Sequence, residues 1–218
     1  MIYLPELHPL ISVIGAFLIL LVIFFIMRLR ELETELEPKL KIIEPIISNA
    51  QIGPPLPTDN LNDYIYTNFV HIIIENISGV QITNCSSYLI SLTKHIFQAD
   101  HVGGLLNVPA CAVEVRAPIS NRIPLVTASD HYRSVTISPK LPAHFDIVFT
   151  RSEDSALNFS PAIQVPHIIN NMNFFNDTGV YDFEIAATGD NTPTVTATIR
   201  IAWNGNWNEF VMMKLKDE

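Results

Sequence analysis

The chain has 218 residues, enough for one domain with a substantial core plus an appendage, and 48% of them are hydrophobic, which excludes a disordered chain. Its net charge of −9 excludes the basic face that a nucleic-acid backbone demands, so no nucleic-acid partner is expected. Two cysteines are too few for a disulfide framework.

Residues 1–9 read as a short N-terminal tail. Residues 10–27, LISVIGAFLILLVIFFIM, carry no charge and a single hydroxyl. As a helix they would span roughly 27 Å, close to a bilayer's hydrocarbon thickness. A cleaved signal peptide would need a basic leading region and a small-residue cleavage site, whereas Glu6 precedes this run and RLRELE follows it. A buried soluble helix would show a polar stripe, and this one is apolar all round. The expectation is a transmembrane helix contacting the lipid bilayer, with Pro9 suited to its first turn.

Arg28, Arg30, Lys39 and Lys41 follow the span and no Lys or Arg precedes it. The Lys/Arg bias places the bulk of the protein in the cytoplasm of a single-pass cell-membrane protein. Four Asn-x-Ser/Thr matches, at Asn76, Asn84, Asn158 and Asn176, then read as chance. Beyond the span, Leu29, Leu32 and Leu36 continue on one helical side from Phe25, which makes them the candidate seam of a homodimer, or simply an extension of the anchor. Pro38 ends the helix.

Residues 28–61 are read as this juxtamembrane helix plus a linker, in which a short strand-like run, LKIIEPII, precedes the stiff GPPLPTDN. Residues 62–218 form the β domain. NFVHIIIEN and VQITNCSSYLISL suggest an antiparallel pair across ISG, and YRSVTIS with AHFDIVFT repeats the arrangement across PKLP. Near the end, Tyr181, Phe183, Ile185 and Ala187 alternate with polar or small residues, and Val195, Ala197, Ile199, Ile201 and Trp203 do the same. GDNTP turns the chain between them. The fold class is mainly β, an antiparallel immunoglobulin-like sandwich preceded by a single N-terminal transmembrane α-helix. Segments 95–120 and 152–178 are long for loops of such a fold.

EPKLKI after the anchor, VHIIIENISGVQITNCSSYLISL, IPLV with SVTISPKLPAHFDIVFT, and GVYDFEIAATGDNTPTVTATIRIAWNGNW together are similar to a loosely defined group of uncharacterised prokaryotic membrane-anchored proteins. That resemblance implies one N-terminal helix and one immunoglobulin-like domain. It carries no catalytic residues.

Asn204-Gly205 is the dipeptide of a two-residue hairpin turn. Trp203 falls on the inward phase, while Trp207, with Asn204, Asn206 and Asn208, is the candidate ligand site, a ring able to stack on a sugar with amides to meet its hydroxyls. Cys85, His95, His101 and Cys111 lack the close paired spacing of a zinc site, so no metal or other cofactor is expected. A cysteine nucleophile served by His101 or His131 has no signature, and free, buried thiols are the expectation for Cys85 and Cys111, with a bridge between them left open. Among the acid–base neighbours, Asp100-His101 and Asp130-His131 would point to opposite faces of a strand, whereas His144 and Asp146 would share one.

The functional expectation is a non-catalytic binding or scaffolding module with an unidentified protein partner. The alternatives are a glycan-binding or glycan-acting receptor, should the domain face outward, and an accessory subunit of a membrane complex.

Overall fold

The computed structural model describes residues 7–52, 65–96, 108, 111–117, 119, 121–128, 134–153, 157–159, 175 and 178–217. Among these described residues, one helix precedes a domain made of two antiparallel sheets.

Helix α1 runs from Leu7 to Leu36, and its 30 residues make a rod about 45 Å long. From Val13 to Leu36 it is long and apolar enough to cross a membrane, and no residue of its most apolar stretch is buried by protein. Val13, Phe17, Leu20 and Phe24 are all exposed, as are Leu29, Leu32 and Leu36. The uncharged stretch from Val13 to Met27, this apolar and this uncovered, belongs in hydrocarbon, and the helix anchors the chain in a bilayer.

The first sheet contains β1 (Leu40–Ile42), β2 (Ile46–Ile52), β3 (Ile65–Asn76), β7 (Val126–Thr127), β9 (Pro142–Arg151) and β10 (Asn158–Phe159). β1 and β2 both pair with β3, and β9 pairs with the other side of β3. Residues 40–52, placed above in the linker with a strand-like run at LKIIEPII, thus supply two strands of the sheet. Pro45, lying between β1 and β2, has no N–H for a ladder and interrupts what would otherwise be one edge strand.

The second sheet holds β4 (Ile82–Ile96), β5 (Val113–Arg116), β6 (Ile123–Pro124), β8 (Ser134–Ile137), β11 (Gly179–Thr188), β12 (Val195–Trp203) and β13 (Phe210–Asp217). β11 and β12 pair in the register that the alternation requires, with Phe183 opposite Ile199 and Ile185 opposite Ala197. Tyr181, Phe183, Ile185, Ile199, Ile201 and Trp203 are at most 1% exposed. They pack against Val70, Ile72, Ile74, Phe145 and Ile147 of the first sheet in one core. Burying each large side chain stabilises the fold by about 2 kcal/mol, which is why the period-two pattern sets the register.

Two expected hairpins are corrected. β3 and β4 do not pair with each other, and neither do β8 and β9; in both cases the chain crosses from one sheet to the other. Asn76 holds both crossings. Its Nδ2 donates to the Val80 and Ile137 carbonyls at 2.6 and 3.0 Å, and its Oδ1 accepts from the Ser78 N–H and hydroxyl. Its backbone carbonyl accepts from Lys140 N at 2.8 Å, where Lys140 takes a φ of 59°. A fully buried amide so occupied cannot be glycosylated in the folded protein, which removes one of the four sequence matches. Asn84, by contrast, is exposed and donates to Asp190. Asn158 is half-buried, and Asn176 lies outside the described residues.

The sandwich sits directly on the anchor. Gly79 N donates to the Glu35 carbonyl at 2.9 Å, and Ile77 N to the Lys39 carbonyl at 3.0 Å. A Cβ on Gly79 would lie 3.1 Å from the Glu35 oxygen, so the close approach of turn and helix favours glycine, and a larger residue would push the two apart by a few tenths of an ångström.

Candidate functional site

The C-terminal hairpin differs from the expected two-residue turn. Trp203 pairs with Phe210, so residues 204–209 form the connection, and in it only Gly205 takes a positive φ, 95°. A tight turn of the expected type would need Asn204 there too. Instead the Asn204 side chain accepts from Asn206 N at 2.9 Å, and the Asn204 and Asn206 amides both donate to the Glu209 carboxylate, which holds Glu209 below the usual carboxylate pKa. Trp203 is core, donating its indole N–H to the Asn206 carbonyl. Trp207 is half-buried with its ring stacked on Tyr66 at 6.0 Å, and its carbonyl accepts from Asn68 and Thr150 of the first sheet. The hairpin closes one end of the sandwich, and Asn208 is exposed beside it.

The candidate metal and thiol residues are dispersed. Cys85 is in the core, where burial pushes its thiol up to about 12. Cys111 is exposed rather than buried, and both thiols are free. His95 Nε2 contacts Asp182 at 2.7 Å. Asp100, His101, Asp130 and His131 lie outside the described residues. Among the described residues no cluster of His, Cys, Asp or Glu could hold a metal ion.

The structure does assemble a group that sequence reading missed, on the outer face of the first sheet. Val70, Ile72 and Ile74 of β3 point into the core, so Phe69, His71 and Ile73 point outward. Ser48 of β2 lies opposite Phe69, which puts its side chain on that same face. On β9, one extra residue shifts the register between Val70 and His71, bringing Asp146 opposite His71. His144 faces outward opposite Ile73, so His144 and Asp146 do share a face, as expected.

His71 Nδ1 lies 2.6 Å from Asp146 Oδ1, and His71 Nε2 meets the Ser48 hydroxyl. A carboxylate can only accept, so Nδ1 carries the proton, and in the neutral ring Nε2 is left to accept from Ser48. His71 and Asp146 are 4% and 2% exposed, whereas Ser48 is exposed. Val126 of β7 lies opposite Asp146 on its other side and is itself buried. Phe69 stacks parallel to the His71 ring, with centroids 6.0 Å apart, and meets Phe149 at 5.7 Å. The His144 ring is 6.3 Å from His71. Burial first, then the nearby His71, lowers the His144 pKa, with Asp146 pulling the other way. A buried carboxylate thus orients a buried imidazole, whose free nitrogen reaches an exposed hydroxyl.

A second feature is an open cleft of about 900 Å³ between α1 and the β3–β4 crossing, lined by Arg30, Thr34, Glu35, Lys39, Gly79 and Lys140 among others. Its cations and carboxylates are mixed, which gives it no strong preference for one sign of ligand.

Comparison with known proteins finds no match, whether among family models, curated proteins or solved structures. The class that the structure defines is a membrane-anchored, two-sheet β domain.

Proposed function

We propose that the protein is a single-pass binding or scaffolding module whose sandwich, immunoglobulin-like in kind, faces the cytoplasm and docks a protein partner on the outer face of its first sheet. The observation that carries this reading is the chemistry of that face. The wet side of an antiparallel sheet is ordinarily polar. Here Phe69, Ile73 and Phe149 stand on it, only half-buried, around the His71–Asp146 pair. Half-buried aromatic rings over a desolvated polar pair are the usual make-up of a docking patch. The orientation rests on the basic residues that follow the span.

The glycan-recognising alternative has less support, because Trp207 is stacked on Tyr66 and the amides of Asn204 and Asn206 are engaged by Glu209. Exposure of Leu29, Leu32 and Leu36 on α1 supports a second copy of the chain as an additional partner through that stripe. An accessory role in a larger membrane complex uses the same surfaces.

Two measurements test the reading. A reporter active only inside the cell, fused after Glu218, is expected to work, and activity of an outside-only reporter would overturn the orientation. A photo-crosslinking residue at Phe69 or Phe149, in native membranes, is expected to give discrete adducts that the same residue at Asp190 does not. Equal adducts at all three positions would sink the docking face.

A further inference from the structure

We infer that Ser48 is an activated nucleophile that takes the acyl group of a carboxylic ester or thioester, with His71 as its general base and Asp146 as the positioning residue. The inference rests on the same sheet face as the docking reading but needs no partner, so the two can fail separately.

The arrangement meets three requirements of acyl transfer. The first is a base within reach of the nucleophile's proton, and His71 Nε2 contacts the Ser48 hydroxyl. The second is an orienting acid for that base. Asp146 holds Nδ1 at 2.6 Å from a site 2% exposed to solvent, where its negative charge favours the imidazolium that forms as Ser48 gives up its proton. The third is a donor for the developing oxyanion, and the strand register supplies one.

Ser152 N donates to the Tyr66 carbonyl, and Tyr66 N to the Ser152 hydroxyl, so Tyr66 turns its backbone groups toward β9. Asn76, an even number of residues along β3, also bonds on the β9 side, and Ile73 accepts on the β1 side. By alternation Asn68 faces β9, and Asn49, which lies opposite it, has its own N–H directed away from β3. Among the described residues no strand pairs with that outer edge of β2. Among the described residues, the amide that follows the nucleophile therefore has no ladder partner, and it holds the same place in sequence from which serine hydrolases draw an oxyanion donor. Phe69 next to Ser48, with Phe149 behind it, forms an apolar wall for the acyl chain.

The step balances. Ser48 Oγ adds to the carbonyl carbon as its proton passes to His71 Nε2. The bond from carbon to the leaving oxygen or sulfur then breaks, and the leaving group takes that proton, giving a Ser48 ester. Water repeats the sequence, with His71 accepting and returning one proton, to release the acid and restore the serine.

The test uses the full chain in detergent micelles with an alkyl fluorophosphonate probe, which phosphonylates activated serines and releases fluoride, and with p-nitrophenyl butyrate. Wild-type protein is expected to gain one adduct, mapped to Ser48. Ser48→Ala removes it, and this exposed substitution leaves the core intact. His71→Gln should slow labelling about 100-fold. Asp146→Asn should lower kcat for the ester with KM unchanged, which separates loss of a positioned base from loss of binding.

Because a change at buried His71 or Asp146 can unfold the sheet, Ser48→Cys gives an independent readout. Its thiol beside the imidazole is expected to react with iodoacetamide at least tenfold faster than exposed Cys111 in the same molecule. Absence of a Ser48 adduct on folded wild-type protein, or equal reactivity of the cysteines at 48 and 111, would overturn the assignment.

Discussion

Arg200 grips Asp182 with two hydrogen bonds, Nε to Oδ1 at 2.7 Å and Nη2 to Oδ2 at 2.6 Å, directly across the β11–β12 ladder. The same carboxylate meets His95 Nε2 at 2.7 Å from β4, so one aspartate ties three neighbouring strands on the outer face of the second sheet. Its hydrogen bond raises the Arg200 pKa further above the ordinary guanidinium value. The three side chains are largely buried, and a forked guanidinium–carboxylate pair is stronger there than on an open surface. Asp182→Ala is expected to destabilise the sandwich by about 2 kcal/mol, discounted for the remaining solvent contact. Urea unfolding in micelles, followed by tryptophan fluorescence, reads the loss, and a change under 0.5 kcal/mol would show that the tie is not structural.

Asn76→Ala should cost more, about 3 kcal/mol, because it removes the side-chain donor to the buried Ile137 carbonyl and the acceptor of the buried Ser78 N–H, leaving the Val80 carbonyl only the Ser78 hydroxyl. Since both inter-sheet crossings lean on that amide, the variant is also expected to gain amide exchange near residues 76–82 and 137–142 before it gains exchange in β11 and β12. Uniform acceleration across both sheets would contradict the corner role.

The thiols should separate by reactivity. Cys111 is exposed and is expected to take maleimide at neutral pH, whereas Cys85 is shielded and held near pKa 12, and should react only after denaturation. The linkage has a definite sign. Folding raises the Cys85 pKa above its ordinary value near 9, so the unfolded chain releases this proton first as pH rises. The associated stability is complete below pH 9 and is lost progressively toward pH 12. Cys85→Ala, although it leaves a small cavity, should show a flatter alkaline limb than wild type.

His144 predicts the opposite limb. Its folded pKa is depressed below 6.5, so the folded state binds this proton less readily than the unfolded chain. Stability from neutral His144 is present above pH 6.5 and is lost as the pH falls through the folded pKa. His144→Gln is expected to flatten that acid limb without altering stability at pH 8 by more than about 0.5 kcal/mol. An unchanged acid limb would assign it to other groups.

How much of this could be read before the fold was known depended on the distance over which the signal acts. The anchor and the β11–β12 ladder were legible because composition and period-two burial act within one segment. Tyr181 through Trp203 fell on the faces their alternation demanded. The crossings at 76–82 and 137–142 were misread as hairpins because a short polar connection marks a reversal without saying whether the next strand stays in the sheet. What decides is the buried side chain of Asn76, whose partner at Ile137 is 61 residues away.

The Ser48–His71–Asp146 group was illegible for a related reason. His71 is 23 residues from Ser48 and 75 from Asp146, and Ser48 sat in a stretch read as linker. The only local trace was that His144 and Asp146 would share a face. A sharper signal was available in the strand-like run LKIIEPII, residues 40–47, which ends immediately before Ser48.

The junction between Gly79 and Glu35 fixes an azimuth as well as a contact. Because α1 is continuous from the span to that bond, the sandwich is geared to the helix, and each residue of helix carries about 100° of rotation. Inserting one residue between Met27 and Glu35 would swing the Ser48 face about 100° around the helix axis while raising it only about 1.5 Å. Inserting seven would return it to within about 20° of its original bearing, about 10 Å farther from the bilayer. Helix phase alone can thus decide which neighbours in the membrane this face ever meets.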